Sequence, residues 1–209
     1  PETGEHFSVD QLDMGGLADA RFILREGGTL GDFYSRIALK RDSNGAVYIN
    51  EKGEIASESI TDVNSYIKLG SVLPDANMAW RNDFRYKGIN LGLLFTGRIG
   101  GICYSATQAN MDLYGVSEVS AAARDAGGVL INGREMVDAQ KWYQAIGSQS
   151  GLPQYYTYSA TNFRLQELSL GYTLPSRSLR KAGISQMRVY VSADNIWTLT
   201  GYSGPDPEV

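Results

Sequence analysis

Charged side chains recur at alternate positions in two stretches of this chain. Arg81, Asp83 and Arg85 form one series, Arg188, Tyr190 and Asp194 keep a second, and Glu167 lies on a segment between them. An extended chain sends alternate side chains to opposite faces, so each series lands on a single face. Guanidinium, carboxylate and phenol groups gathered this way can hold a hydrophilic solute, or they can pair with one another. A second group is aromatic: Trp142, Tyr143, Tyr155, Tyr156 and Tyr158. Flat rings in a loop can stack on sugar faces or anchor a partner protein, and they can equally pack within the loop.

The residues needed for catalysis are scarce. His6 is the only histidine, which leaves a Ser-His-Asp triad or a histidine-rich metal site almost no material. Gly97, Gly100 and Gly101 lack the spacing of a dinucleotide loop, and no P-loop occurs. Asp42, Asn44 and Gly45 resemble the start of a calcium loop, but the carboxylate set is incomplete, so a plain turn is expected. No enzyme activity and no cofactor are expected. The net charge of −4 gives no electrostatic footprint for nucleic acid.

The elements that must position these side chains are strands. Leu168, Leu170, Tyr172 and Leu174 alternate with Glu167, Ser169, Gly171 and Thr173, while Met187, Val189, Val191 and Ala193 alternate with Arg188, Tyr190, Ser192 and Asp194. These predict an antiparallel hairpin over Phe163–Leu199, turning between Pro175 and Ser185. Met78, Trp80, Asn82, Phe84 and Tyr86 alternate with the Arg81 series, and a return strand carries Leu91, Leu93 and Phe95, with a tight turn at Lys87-Gly88-Ile89-Asn90. The runs reach the roughly 9 to 11 residues that a tilted strand needs to cross a bilayer. A half-buried sheet in water gives the same alternation, so a sandwich and a membrane barrel both remain open on periodicity alone.

A fifth strand is expected from Ala20 to Glu26. Asn44-Gly45 between Ile37–Leu39 and Val47–Ile49 is a hairpin signal. Ser117 to Gly127 and Asp138 to Gly147 read as short capped helices. Two connections are then short and two are long, 27–74 and 100–161, on the opposite side of the sheet. Short turns on one side and long loops on the other is the asymmetry of an outer-membrane barrel. Composition agrees: 13 Tyr suit surfaces that are half apolar and half wet, and 24 Gly suit bends and bulges. No apolar run is long enough for a transmembrane helix, which does not bear on a barrel. Cys103 stands alone, so no disulfide can form within the chain. The start at Pro1 and the polar end at Val209 lead us to expect a fragment of a longer protein.

The order of segments resembles the C-terminal part of the SusC/RagA family, TonB-dependent outer-membrane receptors of Bacteroidetes. The run Phe163-Arg164-Leu165-Gln166-Glu167-Leu168-Ser169-Leu170-Gly171-Tyr172-Thr173-Leu174-Pro175 is similar to that family's F-x-R-L…L-[GS]-Y-x-[LF]-P motif, although Arg164 here follows Phe163 directly. The likeness continues through Leu179-Arg180-Lys181-Ala182-Gly183-Ile184, Arg188-Val189-Tyr190 and Asp194-Asn195-Ile196-Trp197 to Tyr202-Ser203-Gly204-Pro205-Asp206-Pro207-Glu208. The resemblance implies an all-β fold: about five strands of an antiparallel transmembrane barrel with 22 strands in the complete protein, and long extracellular loops containing short helices. Residues 1–209 would then be part of the barrel domain, with loops at 27–74 and 100–161, and with the plug domain and last strand absent. It further implies nutrient import of glycans or peptides, a SusD-like surface lipoprotein and the TonB complex as partners, and contact with outer-membrane lipid. Arg81, Asp83, Arg85, Glu167, Arg188, Tyr190 and Asp194 would face the lumen, and the five loop aromatics would meet partner or ligand. The rival expectation is a secreted all-β module that binds glycans or acts as an adhesin.

Overall fold

The structure, a computed structural model, describes residues 11–17, 19–147, 151–175, 179–180, 183–202 and 204. His6, Lys181, Ala182, Ser203, the 205–208 end of the motif and part of the turn between Pro175 and Ser185 lie outside the described residues. In chain order the first strands are β1 (Gln11–Leu17), β2 (Ala20–Arg25), β3 (Asp32–Ser35), β4 (Ile37–Leu39), β5 (Ser57–Ser59), β6 (Ile67–Ser71), β7 (Ala76–Tyr86) and β8 (Ile89–Ile99). They are followed by β9 (Ile102–Tyr104), helices α1 (Ala106–Leu113) and α2 (Glu118–Asp125), β10 (Val129–Ile131), β11 (Glu135–Val137), α3 (Ala139–Ile146), β12 (Thr157–Ser159), β13 (Asn162–Thr173) and β14 (Arg188–Thr200). No described helix is long and apolar enough to cross a membrane. The chain divides into two compact units, one made of residues up to 73 together with 102–158, the other of 74–101 and 159 onward.

The second unit is an antiparallel sheet in the order β14-β13-β8-β7. Its strands have 11 to 13 residues. At about 3.3 Å per residue and a tilt of about 40° they can cover the roughly 25 Å apolar band of an outer-membrane barrel. Lys87 and Gly88 join β7 to β8 with φ of +48° and +88°, the two-residue turn whose twist matches that of the strands it connects. Glycine is required there for a second reason, because a Cβ on Gly88 would lie 2.8 Å from the Thr173 carbonyl oxygen. The chain leaves β8 at Ile99 and re-enters at Asn162, at the end of the sheet opposite to Lys87-Gly88. Short connections at one end and a long one at the other match the expected asymmetry.

This sheet has four strands, where five were expected. Ala20–Arg25 does form a strand, but it pairs with β1 and β3 in the other unit. Its six residues are too few to cross a bilayer. Instead Ala20 and Ile23 are buried, and Phe22 packs on Phe33 with ring centroids 4.7 Å apart.

The first unit is built like a water-soluble domain. A four-stranded sheet, β1-β2-β3-β6, places all four residues of β3 in the interior. A separate apolar cluster joins the two long segments: Leu39, Ala109, Ile146, Leu152 and Tyr156, with Ile37, Val47, Ile55, Trp142 and Tyr143 packed against it. The Asn44-Gly45 turn forms as expected, with Asp42 Oδ1 accepting from the Asn44 and Ala46 amides. The regular partner of Ile37–Leu39, however, is Ser57–Ser59. Only single bridges, Arg41 to Val47 and Ile49 to Ile55, close the hairpin between them. Helices α2 and α3 start at the expected caps, Ser117 and Asp138, each accepting from a backbone amide in the first turn. Helix α1 was not anticipated, although Ser105 and Gln108 form the S-x-x-Q pattern of a capping box.

Candidate functional site

Register decides which side chains share a face of the β14-β13-β8-β7 sheet. Rows run across it as Tyr86–Ile89–Tyr172–Val189, Phe84–Leu91–Leu170–Val191, Asn82–Leu93–Leu168–Ala193 and Trp80–Phe95–Leu165–Trp197. Apart from Asn82 this face is apolar. Trp80, Phe95 and Phe163 stack in sequence along it, at centroid spacings of 5.7 and 5.8 Å. The opposite face carries rows Arg85–Asn90–Gly171–Tyr190, Asp83–Gly92–Ser169–Ser192 and Arg81–Leu94–Glu167–Asp194, with Arg188 beside Thr173. All seven charged or phenolic residues expected to act together therefore lie on one face.

Among the seven residues, three arginines (Arg81, Arg85, Arg188) stand with three carboxylates (Asp83, Glu167, Asp194). Arg81 Nε donates to Asp83 Oδ2 at 3.1 Å, and its Nη1 donates to Glu167 Oε2 at 3.3 Å. These pairs are exposed, so they orient the groups more than they stabilise the fold. Two glycines make room for them. A Cβ on Gly92 would lie 2.5 Å from Ser169 Oγ and 3.2 Å from Asp83 Oδ1, and one on Gly171 would lie 3.1 Å from Arg188 Nε. The result is a polar concavity of about 200 Å³ lined by Arg81, Asp83, Arg85, Asn90, Ser169 and Arg188.

Two further arginines share the charged face and were not singled out from the sequence. Arg98 and Arg164 occupy its rows nearest the long connection, beside Asn162 and Thr96. Arg164 is buried, with Nε donating to Asn162 Oδ1 at 3.1 Å. A bulge hides Arg164: the register shifts between Leu165 and Glu167, so the apolar positions of β13 change from odd (Phe163, Leu165) to even (Leu168, Leu170). That phase change is visible in the sequence as the polar pair Gln166-Glu167 where one residue would keep the alternation. Across the sheet the bulge is completed at Asn195, with φ of +51°.

The loop aromatics separate into exposed and buried groups. Tyr156 is 1% exposed and its hydroxyl donates to Asp112 Oδ2 at 3.0 Å, so its expected role at the surface is corrected to one in the core. Burial pushes its phenol far above the usual tyrosine range, and the Asp112 charge adds to the effect. Trp142 and Tyr143 are half-buried against the same cluster, and the Tyr143 hydroxyl donates to the Val119 carbonyl at 3.3 Å. Tyr155 is exposed and meets Trp142 edge-on at 5.7 Å, while Tyr158 is half-buried. Tyr155 is thus the member of the group most open to solvent.

No family model matches the chain. Over 225 aligned positions it is 27% identical to TonB-dependent receptor P3 of Formosa agariphila, a match that covers 98% of this chain and 21% of the relative. Among solved structures it is similar to the RagAB peptide importer in the closed-closed state, with a TM-score of 0.57 and 16% identity over 97% of this chain and 22% of that one. The open-open state gives a TM-score of 0.53 and 17% identity over 95% of this chain and 25% of that one. At these identities the solved structures bear on the fold. The chain spans about a fifth of the length of the curated relative it matches. The two-faced sheet thus occurs in a chain that is similar over 98% of its length to a TonB-dependent receptor and similar in fold to part of the RagAB importer.

Proposed function

We propose that the whole protein is an outer-membrane nutrient importer and that this chain supplies part of its barrel wall and extracellular loops. The observation that carries the reading is the division of the β14-β13-β8-β7 sheet into an apolar face and a charged face, in a chain of which 98% aligns with a TonB-dependent receptor. The apolar face meets lipid. Arg81, Asp83, Arg85, Glu167, Arg188, Tyr190 and Asp194 face the lumen, where the charges pair with one another, brace a plug or contact a hydrophilic solute. Residues 27–74 and 100–161 form extracellular loops, and Tyr155, Trp142, Tyr143 and Tyr158 lie where a SusD-like lipoprotein or the substrate would approach.

Imported glycans or peptides would cross the lumen, with energy relayed by TonB through parts of the receptor outside this chain. The kinship with a peptide importer favours neither substrate here, because its identity to this chain is 16%. The test is fractionation of the full-length protein. It is expected in the outer membrane, extractable only with detergent, and co-purifying with a surface lipoprotein; recovery as a soluble periplasmic monomer overturns the reading.

A further inference from the structure

We propose that the cleft between α1, α2 and α3 binds a carboxylate-bearing ligand, with the Arg124 guanidinium as its anchor. The cavity measures about 390 Å³, within the range of pockets that take small ligands. The last turn of α1 supplies Asp112 and Tyr114 to its lining, α2 supplies Arg124, and α3 supplies Gln140, Tyr143 and Gln144.

Three observations converge on an acidic ligand. Arg124 forms no ion pair among the described residues; its Nη1 donates to the Gly115 carbonyl at 2.8 Å. A guanidinium keeps further N–H donors in a planar fork that matches a carboxylate. The Gly115 contact orients Arg124, which is exposed. Gly115, just after α1, has φ of +68°, a conformation that favours glycine, and its carbonyl holds Nη1 at the mouth of the cleft.

The third observation concerns the acid in the cleft, whose oxygens are engaged by other donors and form no ion pair with Arg124 among the described residues. Asp112 is buried, and its two oxygens are occupied, one by Gln108 Nε2 at 2.9 Å and the other by the Tyr156 hydroxyl at 3.0 Å. Gln140 and Gln144 stand four residues apart, on one face of α3. Their amides offer donors and acceptors to the groups beside the carboxylate. A uronic sugar and an acidic peptide both present that chemistry. The inference rests on the importer reading for the ligand's biological role and not for the binding itself.

The full-length receptor in detergent is titrated by calorimetry with three probes: digalacturonate, its dimethyl ester and diglutamate. One of the acids is expected to bind, with digalacturonate assigning the ligand to glycans and diglutamate to peptides, and the uncharged ester about tenfold weaker than its acid. Arg124→Gln should weaken the acid at least about fivefold, and so should the double variant Gln140→Ala with Gln144→Ala, which leaves the Gly115 contact intact. Failure of both acids to bind, equal binding of acid and ester, or binding unchanged in both variants overturns the proposal. Fractionation of the same preparations separates the two readings: a receptor seated in the outer membrane that binds neither acid overturns this cleft alone, whereas its absence from that membrane overturns the importer.

Discussion

Val191 and Leu152 are both aliphatic, yet Val191 is 72% exposed in the wall sheet and Leu152 is 0% exposed in the loop unit. The contrast extends to neighbours. Trp80 is 64% exposed on the wall, whereas in the loop unit the Tyr156 ring is enclosed and its hydroxyl is satisfied. The loop unit meets the demands of water: apolar groups inside, buried polar atoms paired. The wall sheet leaves a continuous apolar face uncovered, and a face of that extent makes sense where lipid covers it. One chain thus carries two folding rules, and substitutions of the same kind should have opposite consequences in the two units.

The largest effect is expected from Leu152→Ala, because the side chain is fully enclosed among Leu39, Ala109, Ile146 and Tyr156. Loss of a buried leucine costs about 2–5 kcal/mol. The loop unit should melt at lower temperature while the barrel persists. Trp142 is the only tryptophan of the loop unit, and Trp80 and Trp197 belong to the wall. In a full-length receptor with Trp80→Phe, Trp197→Phe and every tryptophan outside these 209 residues also replaced by Phe, Trp142 fluorescence follows one unit, and heat-modifiable mobility on gels follows the other. Simultaneous loss of both signals would remove the distinction between them.

Next in size is Leu168→Arg, at the middle of β13 on the apolar face. An arginine facing lipid near the midplane costs about 2–4 kcal/mol. Less receptor should reach the outer membrane, while Ser169→Arg, one residue away on the charged face, should assemble normally. Equal damage from both substitutions would mean that the two faces do not meet different solvents.

The alternation that assigns those two neighbours was legible in the sequence, and so were both wall hairpins, the Ser117 and Asp138 caps and the common face of the seven polar residues. Each rests on local geometry, either the two-residue period of a strand or the first turn of a helix. What was not legible depended on distant partners. Ala20–Arg25 has the pattern of any half-buried strand, and only its pairing with β3 places it outside the wall. Tyr156 lies among other tyrosines in a polar-looking loop, and only the enclosure by Leu39 and Leu152, with Asp112 as acceptor, makes it a core residue. Arg164 was hidden for a different reason, since a one-residue bulge reversed the parity by which the faces were read.

A smaller effect is expected from Tyr156→Phe. The ring volume is kept, but Asp112 loses a donor while remaining buried, at a cost of about 1–3 kcal/mol. The Trp142 signal should melt earlier, by less than for Leu152→Ala, and membrane insertion should not change. A variant as stable as the parent would show that the phenol contributes packing alone.

The smallest effect, and the one that sharpens the comparison through pH, comes from Asp32 and Lys68 of the loop unit. Asp32 is buried at the start of β3 and accepts from Lys68 Nζ at 2.5 Å and from the Thr29 hydroxyl at 2.6 Å. Burial alone would raise its pKa, but the hydrogen bonds from Lys68 and Thr29 outweigh it and hold the carboxyl below its ordinary 3.8. The same hydrogen bond holds the Lys68 ammonium above its ordinary 10.5. A depressed carboxyl contributes stability that is present above the unfolded value and lost as pH falls through the folded one. A raised ammonium contributes stability that is present below its unfolded value and lost as pH rises through the folded one. The loop unit should therefore gain from this pair between about pH 4 and pH 10 and lose that gain only outside the window. Lys68 is half exposed, so solvent screens the pair and keeps the gain small. Asp32→Asn should flatten the acid limb of the Trp142 melting profile, leaving the mobility of the barrel unchanged over the same range; an acid limb that survives the substitution would assign the pH response to other carboxylates.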